Sequence, residues 1–189
     1  MAHVLVTEKF FWEYSLSFYK VKDVQELLLG LQDGFGLNVN VLLFCLYCDK
    51  LTVDVNELVL TSILSSIKIM DGELILHRVK RRQAKNALES ENRLDKTRYQ
   101  DYLAQELEME KAQQAQIVAT YLKEATEHPI NKDTKQRQVI KSKGNMQTYV
   151  ALHAERQHIE KLPNTTLSTA EVQVMIQTLQ DLREKHHHV

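Results

Sequence analysis

Residues 31–48 read LQDGFGLNVNVLLFCLYC, and the two halves of this stretch decide the fold. From Val39 to Cys48 almost every side chain is apolar. The run is far shorter than the roughly 20 residues that cross a bilayer. A helix that is apolar nearly all round belongs at the centre of a helical domain. In the half before it, Asp33-Gly34-Phe35-Gly36 stops an earlier helix, because glycine takes the left-handed cap geometry that other residues resist. Asn38 or Asn40 then supplies the side-chain cap that starts the apolar helix.

Working outward, the same logic places helices on both sides. Thr7 caps a first helix, with Phe10, Phe11, Tyr14, Phe18 and Tyr19 at helical spacing. Asp23 caps a second, which carries Val24, Leu27, Leu28 and Leu31. Asp54 and Glu57 have capping-box spacing before a fourth helix, which Asp71-Gly72 is expected to end. A fifth helical stretch runs from about Glu73 into a basic cluster. A sixth spans roughly Asp95 to Ala125, with a polar gap at KAQQAQ (111–116) and a stop at His128-Pro129. Residues 130–144 read as a basic linker. A helix over about Met146–Leu162 follows, and Ser168 with Glu171 forms a capping box for a last one, Thr169–Lys185.

Composition agrees with this pattern. The chain has 189 residues, of which only five are Gly and two Pro, the residues that helix interiors tolerate least. Formal net charge is −1, so no global field points to nucleic acid or to acidic lipid. Charge is unevenly spread: residues 1–76 carry ten acids against five bases, and residues 77–98 carry eight bases against three acids. Apolar residues thin out after about Val79. The expectation is an all-α protein: a compact, irregular helical bundle over 1–80, and a long, charged, polar helical extension over 81–189. With no signal-peptide pattern at MAHVLVTEKFFW and two Cys that cannot build a disulfide framework, the expected compartment is the cytoplasm, with no membrane contact.

The ordered string FFWEYSLSFY (10–19), then LQDGFGLNVNVLLFCLYC, resembles a bacterial family of small helical proteins, domain of unknown function 2390. The matching features are Phe11-Trp12, Tyr14-Ser15-Leu16, Leu31-Gln32-Asp33, Gly36 to Asn40, and Leu42 to Leu46. The resemblance covers roughly residues 10–80. It implies one fold unit and a bacterial cytoplasmic setting, and it implies no activity.

Several candidate sites can be weighed. Cys45 and Cys48 form a C-x-x-C late in an apolar helix, without the preceding strand that activates redox thiols, and no second ligand pair accompanies them for zinc. They read as core. Asp49 and Asp54 after FCLYC faintly resemble the aspartate helix of head-to-head isoprenoid synthases, but a spacing of five leaves one helix face and no second motif exists. His153 and His158 are likewise five apart. No catalytic residue, metal ligand or cofactor is expected, and the chain reads as a non-enzyme.

Two groups of residues remain. Trp12, Tyr14, Gln32, Asp33, Asn38 and Asn40 are candidates for a small polar pocket with aromatic walls, although caps and turns explain most of them equally well. Arg78, Arg81, Arg82 and Lys85 share one helix face at spacings of three and four and form a candidate basic interaction patch, with the acidic stretch 105–111 as an internal partner. The leading expectation is a protein-interaction module that meets a protein partner or a second copy. A small-ligand binder with a pocket near Trp12 and Asn40 is the alternative, and a nucleic-acid accessory role using the basic patch comes third.

Overall fold

A computed structural model of the chain describes residues 6–87, 93–127, 144–160 and 166–186. The described residues form seven helices and no strand: α1 (Glu8–Tyr19), α2 (Val24–Phe35), α3 (Val39–Lys50), α4 (Glu57–Ala87), α5 (Arg93–Glu127), α6 (Asn145–Glu160) and α7 (Thr169–His186). The fold is all-α, as the sequence indicates.

The apolar helix lies where its composition requires. Every residue of α3 from Val39 to Cys48 is buried, and α1, α2, α5, α6 and α7 all pack around it. Phe44 is the hub, edge-on to Phe11 of α1 at 5.4 Å and to Tyr121 of α5 at 5.5 Å. Cys45 and Cys48 are fully buried here, and burial pushes both thiols well above their ordinary pKa. They are core residues and not reactive ones.

Most caps stand where the sequence puts them. Thr7 Oγ1 accepts from Phe10 N, Asn38 Oδ1 accepts from Val41 N, and Gly36 ends α2 at φ 77°. Ser168 and Glu171 exchange bonds across the start of α7, Glu171 Oε2 accepting from Ser168 N and Ser168 Oγ from Glu171 N. Two expected caps are corrected. Asp23 sits at φ 70° and makes no side-chain cap bond. α4 is capped by Asn56, whose Oδ1 accepts from Val59 N at 3.0 Å, and not by Asp54.

Asp71-Gly72 does not end a helix. α4 runs through both residues, because its inner face stays packed along antiparallel α5 for its whole length. Paired contacts mark the hairpin: Thr120 with Ser66, and Glu110 with Arg78.

The boundary expected at residue 80 does not divide the core. Ile117, Val118 and Tyr121 of α5, Met146, Tyr149 and Val150 of α6, and Val172, Ile176 and Leu179 of α7 join the same apolar cluster as α1 to α4. Polar bonds fasten this C-terminal part down. Asn145 donates its backbone N–H to Asp49 Oδ1 (3.0 Å) and its Nδ2 to Val53 O (2.7 Å), and accepts from Val55 N (2.8 Å). Arg183 of α7 pairs with Asp49 at 3.4 Å. Gly34 lets α2 approach the start of α7, since a Cβ there would lie 2.6 Å from Leu167 Cγ. The basic linker expected at 130–144 lies, but for Gly144, outside the described residues.

Candidate functional site

Beyond the shared core, the outer halves of α4 and α5 lean over α1 and α2. A cleft of about 620 Å³ opens between them. Trp12, Ser15, Leu16 and Tyr19 of α1 form one wall, and Leu29, Gln32 and Asp33 of α2 another. Val39, Asn40 and Leu43 of α3 make the floor. Arg78, Arg81, Arg82 and Lys85 of α4 close it with Leu103, Glu106, Leu107, Glu110 and Gln114 of α5.

The floor is a connected amide network. Asn40 donates from Nδ2 to Gln113 Oε1 at 2.8 Å and accepts at Oδ1 from Gln114 Nε2 at 2.8 Å. Ser15 Oγ lies 3.3 Å from Gln114 Oε1 and 2.9 Å from Phe11 O. Losing a partner in such a network leaves a desolvated donor or acceptor, as Gln113 Nε2 already is: it is buried with no hydrogen-bond partner among the described residues. Gln32 donates to Asp33 at 3.3 Å, while its Oε1 is buried with no hydrogen-bond partner among the described residues.

The basic side of the cleft is half neutralised. Arg78 reaches Glu110 at 3.0 Å and Glu106 at 3.5 Å, and Arg81 bonds Glu106 at 2.5 Å. The acidic stretch of α5 is thus the internal partner of these two arginines. Among the described residues, Arg82 and Lys85 have no ion-pair partner. Burial raises the Glu110 pKa above its ordinary value, and the bond and charge of Arg78 offset only part of this. Lys20, Arg78, Arg81, Arg82 and Lys85 face Asp33, Glu106 and Glu110, so the lining carries a surplus of positive charge above an apolar body of Leu16, Leu29, Leu43, Leu103 and Leu107.

Of the six pocket candidates, four line the cleft: Trp12, Gln32, Asp33 and Asn40. Tyr14 and Asn38 do not. Tyr14 is in the core, stacked on Phe18 at 5.6 Å and against Tyr47 at 5.3 Å. Asn38 caps α3 and donates to Asp71 of α4 at 2.7 Å. All four residues of the basic patch line the same cleft. Trp12 also borders a second groove, of about 540 Å³, beside Lys9, Glu108 and Lys111, and Lys111 Nζ lies 6.0 Å from the indole centroid. Gln113 and Gln114 were not among the candidates. Their signal was the polar gap KAQQAQ within an otherwise apolar helical rhythm.

A family model described as protein of unknown function, DUF2390, matches residues 10–117, more than half of the chain. This is a DUF2390 protein. All residues lining the cleft fall within the matched stretch of the DUF2390 protein, whereas α6 and α7 fall outside it. Comparison with curated proteins and with solved structures gives no match. No described helix is long and apolar enough to cross a membrane. Among the described residues, no group of three or more His, Cys, Asp or Glu is placed to hold a metal ion.

Proposed function

We propose that this DUF2390 protein is a non-catalytic binding module, and that its cleft takes a small amphipathic ligand with an apolar body and an anionic end. The observation that supports this is a convergence. The aromatic–amide group around Trp12 and Asn40 and the basic group around Arg82 are more than 40 residues apart in sequence, yet they line one cleft. Its volume lies in the range of small-ligand sites. The leucine body suits an alkyl or aryl group. The unpaired Arg82 and Lys85 suit a carboxylate, sulfonate or phosphate. Most polar groups of the lining hold one another: the Glu106 and Glu110 carboxylates are engaged with arginine, Asp33 accepts from Gln32, and the Ser15 hydroxyl is engaged with Phe11 O and Gln114.

A role in protein interaction is favoured by a different observation, the exposed aliphatic side chains on the outer face of α4. The nucleic-acid reading has less support, because two of its four bases are already bound to carboxylates.

Trp12 is the only tryptophan, so its fluorescence reports the cleft directly. Titration with decanoate is expected to shift and saturate that signal, while decyltrimethylammonium, with the same chain and opposite charge, is not. Arg82→Ala with Lys85→Ala is expected to weaken decanoate binding about tenfold or more, as losing charge-assisted hydrogen bonds does. Equal response to both probes, or none to either, would sink the ligand reading.

A further inference from the structure

The outer face of α4 is built as a helix–helix seam that nothing among the described residues covers. Leu58, Ser65, Ile69, Gly72, Leu76 and Val79 are all exposed. After a first step of seven they recur at steps of four and three, the 3.5-residue rhythm of a coiled-coil face. Leu58 and Ile69 are 77 % and 78 % exposed, and Leu76 is 64 % exposed. A long surface helix ordinarily buries such residues. The two small residues stand between the large ones, and a Cβ at Gly72 would meet nothing within 4 Å, so another backbone can come close there.

Charge selects the occupant. Exposed Glu57 stands at the start of α4, while exposed Lys80, Arg82 and Lys85 stand at its end. Among the described residues none of the four has an ion-pair partner. A parallel copy would set like charge on like. An antiparallel copy sets the acidic end of each helix against the basic end of the other.

We propose that this face pairs with the same face of a second copy, antiparallel about a two-fold axis near Met70–Asp71. In that register Ile69 of each copy lies on Gly72 of the other, Leu76 lies on Ser65, and Leu58 lies on the stem of Gln83. Large side chains therefore meet small ones along the seam. Glu57 of each copy reaches Arg82 of the other on one flank, so that in the dimer Arg82 is shared between this contact and the cleft and Lys85 stays an unpaired cation of the cleft. The seam uses nearly the full length of α4, about 46 Å for 31 residues at 1.5 Å each. The contact is isologous and closes as a dimer.

Sedimentation equilibrium of the full chain tests the pairing. The wild-type protein is expected to be a dimer. Ile69→Glu or Leu76→Glu is expected to give monomers with unchanged helical circular dichroism and unchanged decanoate titration, since neither residue lines the cleft. Glu57→Arg and Arg82→Glu are each expected to weaken the dimer about tenfold or more. Mixing these two variants is expected to restore it, because both cross-pairs become attractive again. A monomeric wild-type protein overturns the proposal. A dimer that survives Ile69→Glu and Leu76→Glu places the contact elsewhere and also overturns it. A mixture no tighter than the single variants removes the antiparallel register.

Discussion

Glu110 carries the pH behaviour of the cleft. Burial raises its pKa above the ordinary glutamate value, and Arg78 only partly offsets this. As pH falls through the raised value, Glu110 takes up a proton before an exposed glutamate does, and the cleft gains one positive charge. Decanesulfonate, which stays ionised throughout, is therefore expected to bind more tightly as pH falls from neutral toward the glutamate range. Glu110→Gln is expected to show the tight affinity already at neutral pH and to flatten the profile. A pH-independent Trp12 titration in the unsubstituted protein would remove Glu110 from the site. The same shift acts on stability with a fixed sign. The folded state holds this proton more tightly than the unfolded state, so stability declines as pH rises from the ordinary glutamate value through the raised one. Which residues share the cleft was partly legible from helix phase. Residues two apart on a helix point roughly 200° apart. Trp12 and Tyr14 therefore cannot both line one wall, and Tyr14 is the one that faces the core. Asn38 is the N-cap, outside the helical phase, and it donates to the same Gln113 oxygen as Asn40, at 3.2 Å. That Gln113 and Gln114 meet Asn40 was not legible, because a contact across more than 70 residues leaves no local trace.

At the scale of the element, the caps at Thr7, Asn38 and Ser168 read well, Asp23 fails because its backbone is left-handed, and the cap of α4 reads poorly because two side chains compete. Asp54 and Glu57 have the box spacing, but Asn56 lies nearer the first turn and takes the Val59 N–H. Asn56→Ala is expected to cost about 1 kcal/mol of stability by the urea midpoint. Asp54→Ala is expected to cost clearly less, and the reverse order would restore Asp54 as the cap. The Asp71-Gly72 stop signal failed for a different reason. A helical glycine costs only about 1 kcal/mol relative to alanine, and the packing of α4 along α5 outweighs it. Asn38 also binds the Asp71 carboxylate, so a residue that reads as a helix terminator is held inside the helix by a partner on another element. In LQDGFG, Gly36 has the turn role that its spacing suggests. Gly34 instead makes room for Leu167, and its carbonyl accepts from Thr166 N and Leu167 N.

At the scale of the whole molecule, the helices could be read from the sequence and the division between them could not. Apolar residues thin out after Val79, which suggests a compact part followed by an extension. Yet a helix that contributes a few buried side chains to an existing core needs only a narrow apolar stripe, and α7 does so with Val172, Ile176 and Leu179. The matched family stretch ends at residue 117, before α6 and α7 begin, so the matched unit and the folding unit differ. A chain ending at Glu127 would expose the α3 surface that Met146 and Tyr149 now cover, and would leave Asp49 without Asn145 and Arg183. It is expected to lose cooperative unfolding and to bind a hydrophobic dye, as loosely packed helical states do. Within the full chain, Ile176→Ala is expected to lower stability by about 2–5 kcal/mol, the ordinary cost of emptying a fully buried site. If the shortened chain instead unfolds as sharply as the full one and Ile176→Ala costs under about 1 kcal/mol, α6 and α7 are a cover laid on a core that α1 to α5 complete alone.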